Sequence, residues 1–263
     1  MNENSLSKMH QLKLYGMQRA LESLIETRTY QQLTHDEYLN LLVQAEWEDR
    51  ENRRIGRSLR TARFRYHASI EEIDFIQNRN LDKNQFLRFT DCSFIDRRET
   101  ILVCGSTGVG KSFLISALGH QACLKGYKVL YFNSQKLFTQ LKIAQADGTY
   151  PREITRIEKA DLLILDDFGL QTFDAQTRMI LLEIIEDRYD KKSTIIGSQL
   201  PFDKWYDLIG EGTIADAILD RLYHGSHRID LKGESMRKKT KKDSSPSPGL
   251  YILNELRFAK DHA

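Results

Sequence analysis

Eight residues, Gly105 to Ser112, read GSTGVGKS. They fit the spacing G-x-x-x-x-G-K-[ST] at Gly105, Gly110, Lys111 and Ser112. Glycines let a backbone curl until successive N–H groups point inward, which makes a cradle for phosphate oxygens. The following stretch FLISALGHQACL reads as an apolar helix, and its N-terminus adds partial positive charge at the same place. Lys111 is then set to reach the β- and γ-phosphates of a nucleoside triphosphate such as ATP, and the Ser112 hydroxyl to ligate Mg2+. The expected binding segment is Gly105, Ser106, Thr107, Gly108, Val109, Gly110, Lys111, Ser112 and Phe113. A chance glycine-rich turn is the competing reading. The strand-like TILVCG before the loop and the helix after it argue against chance.

A second group lies in LLILDDFG, where an apolar run ends in Asp166 and Asp167. A buried strand delivers both carboxylates to the carboxyl edge of a sheet, where ligands of α/β proteins sit. Asp166 is placed to hold Mg2+ through water, and Asp167 to orient or deprotonate an attacking water. Phosphoryl transfer to a substrate does not need the second acid, whereas hydrolysis does. Asp is also common in turns at strand ends. STIIGSQLP is another strand ending in polar groups. Ser198 or Gln199 is in position to touch the terminal phosphate or the water, with simple capping before Pro201 as the equal alternative. Arg221 in ADAILDRL and Arg237 in GESMRKK suit charge stabilisation on a phosphoryl group, supplied from a neighbouring subunit. Arg188 in EDRY is a rival for either role. For Arg221 a surface ion pair with Asp216, Asp220 or Asp187 is the plainer reading.

These groups need a scaffold. Short apolar runs recur at 100–105, 128–133, 162–167, 193–198 and 227–232, with helical stretches between them. That alternation predicts an α/β fold with a parallel five-stranded sheet covered on both faces by helices, a three-layer αβα domain over residues 81–237. STIIGS is expected between the two motif strands. Residues 1–80 lack proline and read as a small all-α domain. In it Leu6, Met9, Leu14, Met17, Leu21 and Leu24 recur at helical spacing. A second helix is expected from Thr34 or Asp36 towards His67. Residues 238–263 form a basic, then Ser- and Pro-containing tail, with a short helix in LYILNELRFA.

The net charge of +2 does not mark a nucleic-acid binder, but local charge does. RENRRIGRSLRTARFR, residues 50–65, is dense in arginine. At about 100° per residue, Arg50, Arg53, Arg54, Arg57, Arg60 and Arg65 share one half of a helix. Ile55, Leu59, Ala62 and Tyr66 share the other. Such a stripe matches the repeated charge of a nucleic-acid backbone. A solvated helix laced by salt bridges is the alternative. It needs interleaved acids, whereas Glu46, Glu48 and Asp49 precede the stripe. The three cysteines show no metal spacing and suit a reduced, cytoplasmic setting. No signal core is present, and no run approaches the roughly 20 apolar residues of a membrane span.

GSTGVGKS, LLILDDFG, STIIGSQLPFDKW, ADAILDRLYHGSHRIDLKGESMR and the leading LKLYGMQRALESLIE together resemble the IstB family. These are bacterial AAA+ P-loop NTPases that help insertion sequences move, kin of the DnaC helicase loaders. The resemblance covers about residues 6–237. It implies an ATPase that assembles on duplex DNA as a homo-oligomer with ATP between subunits, and that recruits an IstA-type transposase. It also implies that Arg221 matches the arginine finger, Arg237 the second sensor arginine and Gln199 the first sensor. The family usually has Asn in a T-S-N-like triplet where this chain has G-S-Q. Many AAA+ proteins carry Glu where Asp167 stands. A replicative helicase loader is the second reading, and a P-loop kinase acting on a small metabolite the third. The adenine pocket is sought near Phe89 to Phe94.

Overall fold

The computed structural model describes residues 2–76, 79–210 and 212–236. Arg237, the basic run that follows it and the helix expected in the tail lie outside the described residues.

The N-terminal region begins with α1 (Asn2–Gln11) and α2 (Tyr15–Thr27). The apolar spacing from Leu6 to Leu24 runs through both, but Lys13 takes φ 58 and separates them. α3 (His35–Ala62) is started by a capping box, in which Thr34 accepts from the Glu37 amide and the Glu37 carboxylate accepts from the Thr34 amide. Leu21, Leu24 and Leu42 bury one seam between α2 and α3. Glu46 on α3 accepts the Gly16 amide at 2.8 Å and the Met17 amide at 3.3 Å, so its carboxylate sits on the positive end of α2. Burial opposes that charge, but Arg50 and the two amides hold Glu46 below its usual value.

α3 stops earlier than the expected His67. Arg63 adopts the left-handed conformation (φ 56) and its amide closes on Leu59 O. Among the described residues, 64–82 contain no helix. Ala68 and Ile73 are buried in the core of the α/β unit, with Phe64, Tyr66, Ile70, Phe75 and Leu81 packed against it. Helix therefore does not extend to about residue 80. Apolar side chains too closely spaced for one helical face become a strap across the domain.

Then follow α4 (Lys83–Leu87), α5 (Ser93–Asp96), β1 (Ile101–Gly105), α6 (Lys111–Leu124), β2 (Val129–Asn133), α7 (Ser134–Asp147) and α8 (Tyr150–Glu158). The chain continues with β3 (Leu162–Phe168), α9 (Ala175–Arg188), β4 (Ser193–Ser198), α10 (Trp205–Ile209), α11 (Gly212–Tyr223) and β5 (His227–Leu231). The five strands are parallel in the order β2-β3-β4-β1-β5. Side chains alternate across a strand, and the two cores follow that rule. Ile101, Val103, Leu162 and Ile164 face one core with α6 and the strap. Leu102, Cys104, Leu163 and Leu165 face the other with α7, α9 and α11. This is the expected three-layer arrangement. β4 lies between β1 and β3, so the loops after β1 and β3 open on the same carboxyl edge.

Candidate nucleotide-hydrolysis site

The loop after β1 wraps the start of α6. Gly110 caps that helix with φ 97, a conformation that favours glycine. A Cβ on Gly105 would lie 2.4 Å from Leu231 O, so the backbone of β5 closes on the loop's first residue. Lys111 is only 6% exposed. Its Nζ donates to Gly105 O at 2.7 Å and Ser106 O at 2.9 Å. Thr107 Oγ1 donates to Gln199 Oε1 at 2.6 Å, which ties the phosphate loop to the end of β4. Thr107, Gly108, Gly110, Lys111, Ser112, Asp167 and Gln199 line one cleft of about 580 Å³.

Asp166 and Asp167 leave β3 in different surroundings. Asp166 is 1% exposed and lies behind the cleft wall. Its Oδ1 accepts the Asp167 amide at 2.9 Å, and its Oδ2 accepts the Tyr131 hydroxyl. Burial, reinforced by Asp166, pushes the Tyr131 phenol well above its ordinary value, so it stays a donor. Asp167 takes φ 54, outside the strand conformation. Its Oδ2 accepts from Arg65 Nη1 at 2.8 Å and from Asn133 Nδ2 at 3.0 Å. The Arg65 guanidinium also lies 3.8 Å from Asp166 Oδ2. Burial works against the Arg65 charge, but Tyr66, Asp167 and Asp166 outweigh it and hold the group above its ordinary value.

The donor set fits Mg2+ held with a triphosphate. Ser112 and Asp166 offer hard oxygens, and each carboxylate oxygen of Asp166 keeps a lone pair beyond the hydrogen bond it accepts. Mg2+ is commonly held by one or two protein oxygens plus water and phosphate, so no denser acidic cluster is required. Among the described residues no group of His, Cys, Asp and Glu forms a separate metal site. The buried Cys92 and Cys104 thiols are pushed up by burial to about 11 and about 12.

Other expected residues fall elsewhere. Ser198 is fully buried, its hydroxyl donating to Phe168 O at 2.8 Å. It serves the strand end, while Gln199 reaches the cleft. Arg188 is 1% exposed and donates to Ile157 O, Ala160 O, Ser193 O and Thr194 Oγ1. Burial lowers its pKa to about 10, and it holds α8, α9 and β4 together rather than facing a nucleotide. Arg221 pairs with Glu186 at 2.8 Å, not with Asp187, Asp216 or Asp220. It lines a hollow with Thr100, Asp190 and Thr194, at the amino ends of β1 and β4, away from the phosphate loop. Phe89 and Phe94 are 3% and 0% exposed and stack edge to face in the core, so the stretch expected to hold adenine does not line the cleft. The remaining wall comes from Arg65, Tyr66, Glu72, Asp74, Arg79, Phe113, Leu170 and Met236.

The arginine stripe is real but shorter and more paired than the sequence suggests. Arg50, Arg53, Arg54, Arg57 and Arg60 are exposed, with Ile55 and Leu59 turned inward. Arg50 pairs with Glu46, Arg53 with Asp49 and Arg54 with Glu51. The acids that precede the stripe therefore reach it at helical spacing, as the salt-bridge alternative requires. Arg65 is not on the helix at all. Arg54, Arg57 and Arg63 face Lys128, Arg152, Arg156 and Lys159 across a groove of about 1240 Å³ between α3 and α8. The cations beyond α3 went unread because they are scattered in sequence. Asn133 carries a usable signal, a polar residue ending an apolar strand run, and β2 pairs with β3 so that it stands opposite Asp166.

A parallel sheet in this order, with a phosphate loop after β1 and an acidic pair ending β3, defines a P-loop ATPase of the AAA+ class. The solved structures of DnaI and of the DnaC helicase loader share the fold, with TM-scores of 0.56 and 0.53 at 21% and 23% identity. They cover 63% and 67% of this chain and 91% and 99% of theirs. The chain belongs to the IstB-like ATP-binding family, whose model matches residues 7–244. It is 44% identical over 240 residues to an insertion sequence ATP-binding protein of Sinorhizobium fredii, covering 91% of this chain and 98% of that one. Among the described residues no helix is long and apolar enough to cross a membrane.

Proposed function

We propose that this protein is a DNA-binding ATPase that assembles on duplex DNA and recruits the transposase of an insertion sequence. The observation that carries the reading is the cleft in which Lys111, Ser112, Asp167 and Gln199 meet at the carboxyl ends of β1, β3 and β4. Lys111 and the loop amides bind the phosphates. Ser112 directly and Asp166 through water would hold Mg2+, which would supply charge neutralisation on the phosphates. Asp167 takes the proton of the attacking water, and Gln199, fixed by Thr107, orients the terminal phosphate.

Arg221 is too far round the sheet to serve its own cleft. It acts on the nucleotide of a neighbouring copy, which makes the homo-oligomer part of the site. Arg237 contributes from the segment after β5. The groove between α3 and α8 supports contact with the DNA backbone, with Arg57, Arg60 and the groove cations adding to Arg50, Arg53 and Arg54. Phosphate contacts of this kind give weak sequence preference and strong salt dependence. An IstA-type transposase is the partner that family membership favours over a replicative helicase. The same membership and the three free, buried cysteines favour a cytoplasmic bacterial setting.

The test is duplex affinity measured with ATP, with ADP and with Lys111→Ala. The reading expects tight binding with ATP only, and equal affinity in all three defeats it.

A further inference from the structure

Just past the end of the helix that carries the arginine stripe, one side chain reaches the carboxylates of the cleft. Arg65 follows the left-handed turn at Arg63 that ends α3. Its neighbour Phe64 is anchored, lying edge-on to Tyr131 at 5.9 Å and close against Gly119 of α6. Arg65 itself is 43% exposed along its side chain. Its guanidinium is thus tethered at the joint, over the Tyr66 ring, with one side open to solvent.

That guanidinium stands on a wall with two sides. Arg65 and Asp167 both line the nucleotide cleft, and both also line an adjoining groove of about 890 Å³. The groove carries further cations, Arg63, Lys136 and Arg156, with Asp147 and Glu153 opposing them. On the cleft side Arg65 holds Asp167 Oδ2 at 2.8 Å. Asn133 already donates to the same oxygen at 3.0 Å. An oxygen accepting two donors has no lone pair left for a water proton.

We infer that Arg65 is a positioning residue for hydrolysis and links the arginine helix to Asp167. With Arg65 on Asp167, Oδ2 is filled and the carboxylate is held turned towards Arg65, away from the orientation an attacking water needs. A nucleic-acid phosphate in the adjoining groove draws Arg65 away and leaves Asp167 oriented by Asn133 alone. Oδ2 then accepts the proton of a water as the water oxygen bonds to the γ-phosphorus. The bridging P–O bond breaks at the same time, and its electron pair leaves on ADP. The inference rests on the proposed DNA-binding function and names the regulation of that site.

Because coupling is reciprocal, the link has a signature that needs no hydrolysis. Removing the Asp167 charge frees Arg65 for the groove, so Asp167→Asn tightens duplex binding, measured without nucleotide by anisotropy of a labelled duplex at low salt. The expected gain is on the order of fivefold, what a partly exposed ion pair is worth. In an Arg65→Ala background Asp167→Asn changes duplex affinity by less than about twofold. In steady-state phosphate release Arg65→Ala raises kcat without duplex by a similar factor, leaves KM for ATP unchanged and abolishes stimulation by duplex. Arg65→Lys keeps the stimulation in part. Equal effects of Asp167→Asn in both backgrounds, or full stimulation in Arg65→Ala, overturn the inference alone. A wild-type protein that neither binds duplex nor responds to it overturns the functional reading, and the inference with it.

Discussion

Tyr131→Phe isolates one hydrogen bond behind the cleft. Tyr131 is 7% exposed and its hydroxyl donates to Asp166, which is 1% exposed. Phenylalanine keeps the edge contact with Phe64 and the packing volume, so only the donor is lost. A hydrogen bond to a charged group contributes about 1.5–3 kcal/mol. For a chain of this size that loss lowers Tm by roughly 4–10 °C. Urea unfolding followed by circular dichroism, without nucleotide, gives the free energy directly. The cause is tested by a double-mutant cycle with Asp166→Asn, because a neutral partner reduces the loss to about 1 kcal/mol. A Tyr131→Phe variant within about 0.5 kcal/mol of wild type, or one equally costly in both backgrounds, refutes the claim that the phenol stabilises a charged Asp166.

Three further outcomes are expected. Arg188→Met removes every donor to Ile157 O, Ala160 O and Ser193 O that this side chain supplies, and lowers stability by about 1–3 kcal/mol in urea unfolding; a loss below about 0.5 kcal/mol contradicts its role as the tie between α8, α9 and β4. Gly105→Ala places a Cβ 2.4 Å from Leu231 O, so β5 and the phosphate loop must separate; binding of a fluorescent ATP analogue falls by on the order of tenfold or more, against a strain of a few kcal/mol, and unchanged binding refutes the close approach. Asp174 caps α9 and accepts from Lys142, and these bonds, Lys142 first, hold its carboxyl below the ordinary range. A depressed pKa adds stability above the unfolded value near 3.9 that is lost as pH falls. The gain is modest for so exposed a group; Asp174→Asn flattens the fall in stability between about pH 4 and pH 2, and an unchanged slope rules the pair out.

Much of the α/β unit was legible because its signals are local. Each strand run matches the observed strand to within one residue at either end, since short apolar runs such as ILVC, VLYF and LLIL, bounded by polar residues or glycine, leave little room for another register. Lys111, Ser112, Asp167 and Gln199 share one cleft because loops after parallel strands must open on one edge. What sequence missed is non-local. The strap residues that pack on the core, such as Phe64, Ala68, Ile73 and Leu81, read as helix by composition, and only the core they cover takes them out of it. Arg65 sits at helical spacing with the stripe, yet the left-handed Arg63 turns it into the cleft. Tyr131 looked like one more apolar strand residue, and its hydroxyl gains meaning only beside Asp166. The acids before the stripe form a separate block in the linear sequence, whereas helical spacing pairs Glu46 with Arg50 and Asp49 with Arg53.

The central claim is that ATP is clasped between copies of the chain and that this clasp sets the grip on DNA. Sedimentation velocity with saturating duplex and a non-hydrolysable ATP analogue tests it most directly. The account predicts multi-copy complexes on the duplex that dissolve when the analogue is replaced by ADP and fail to form with Arg221→Ala. Single copies at saturating analogue and duplex, in a preparation that hydrolyses ATP at an undiminished rate on dilution, contradict it.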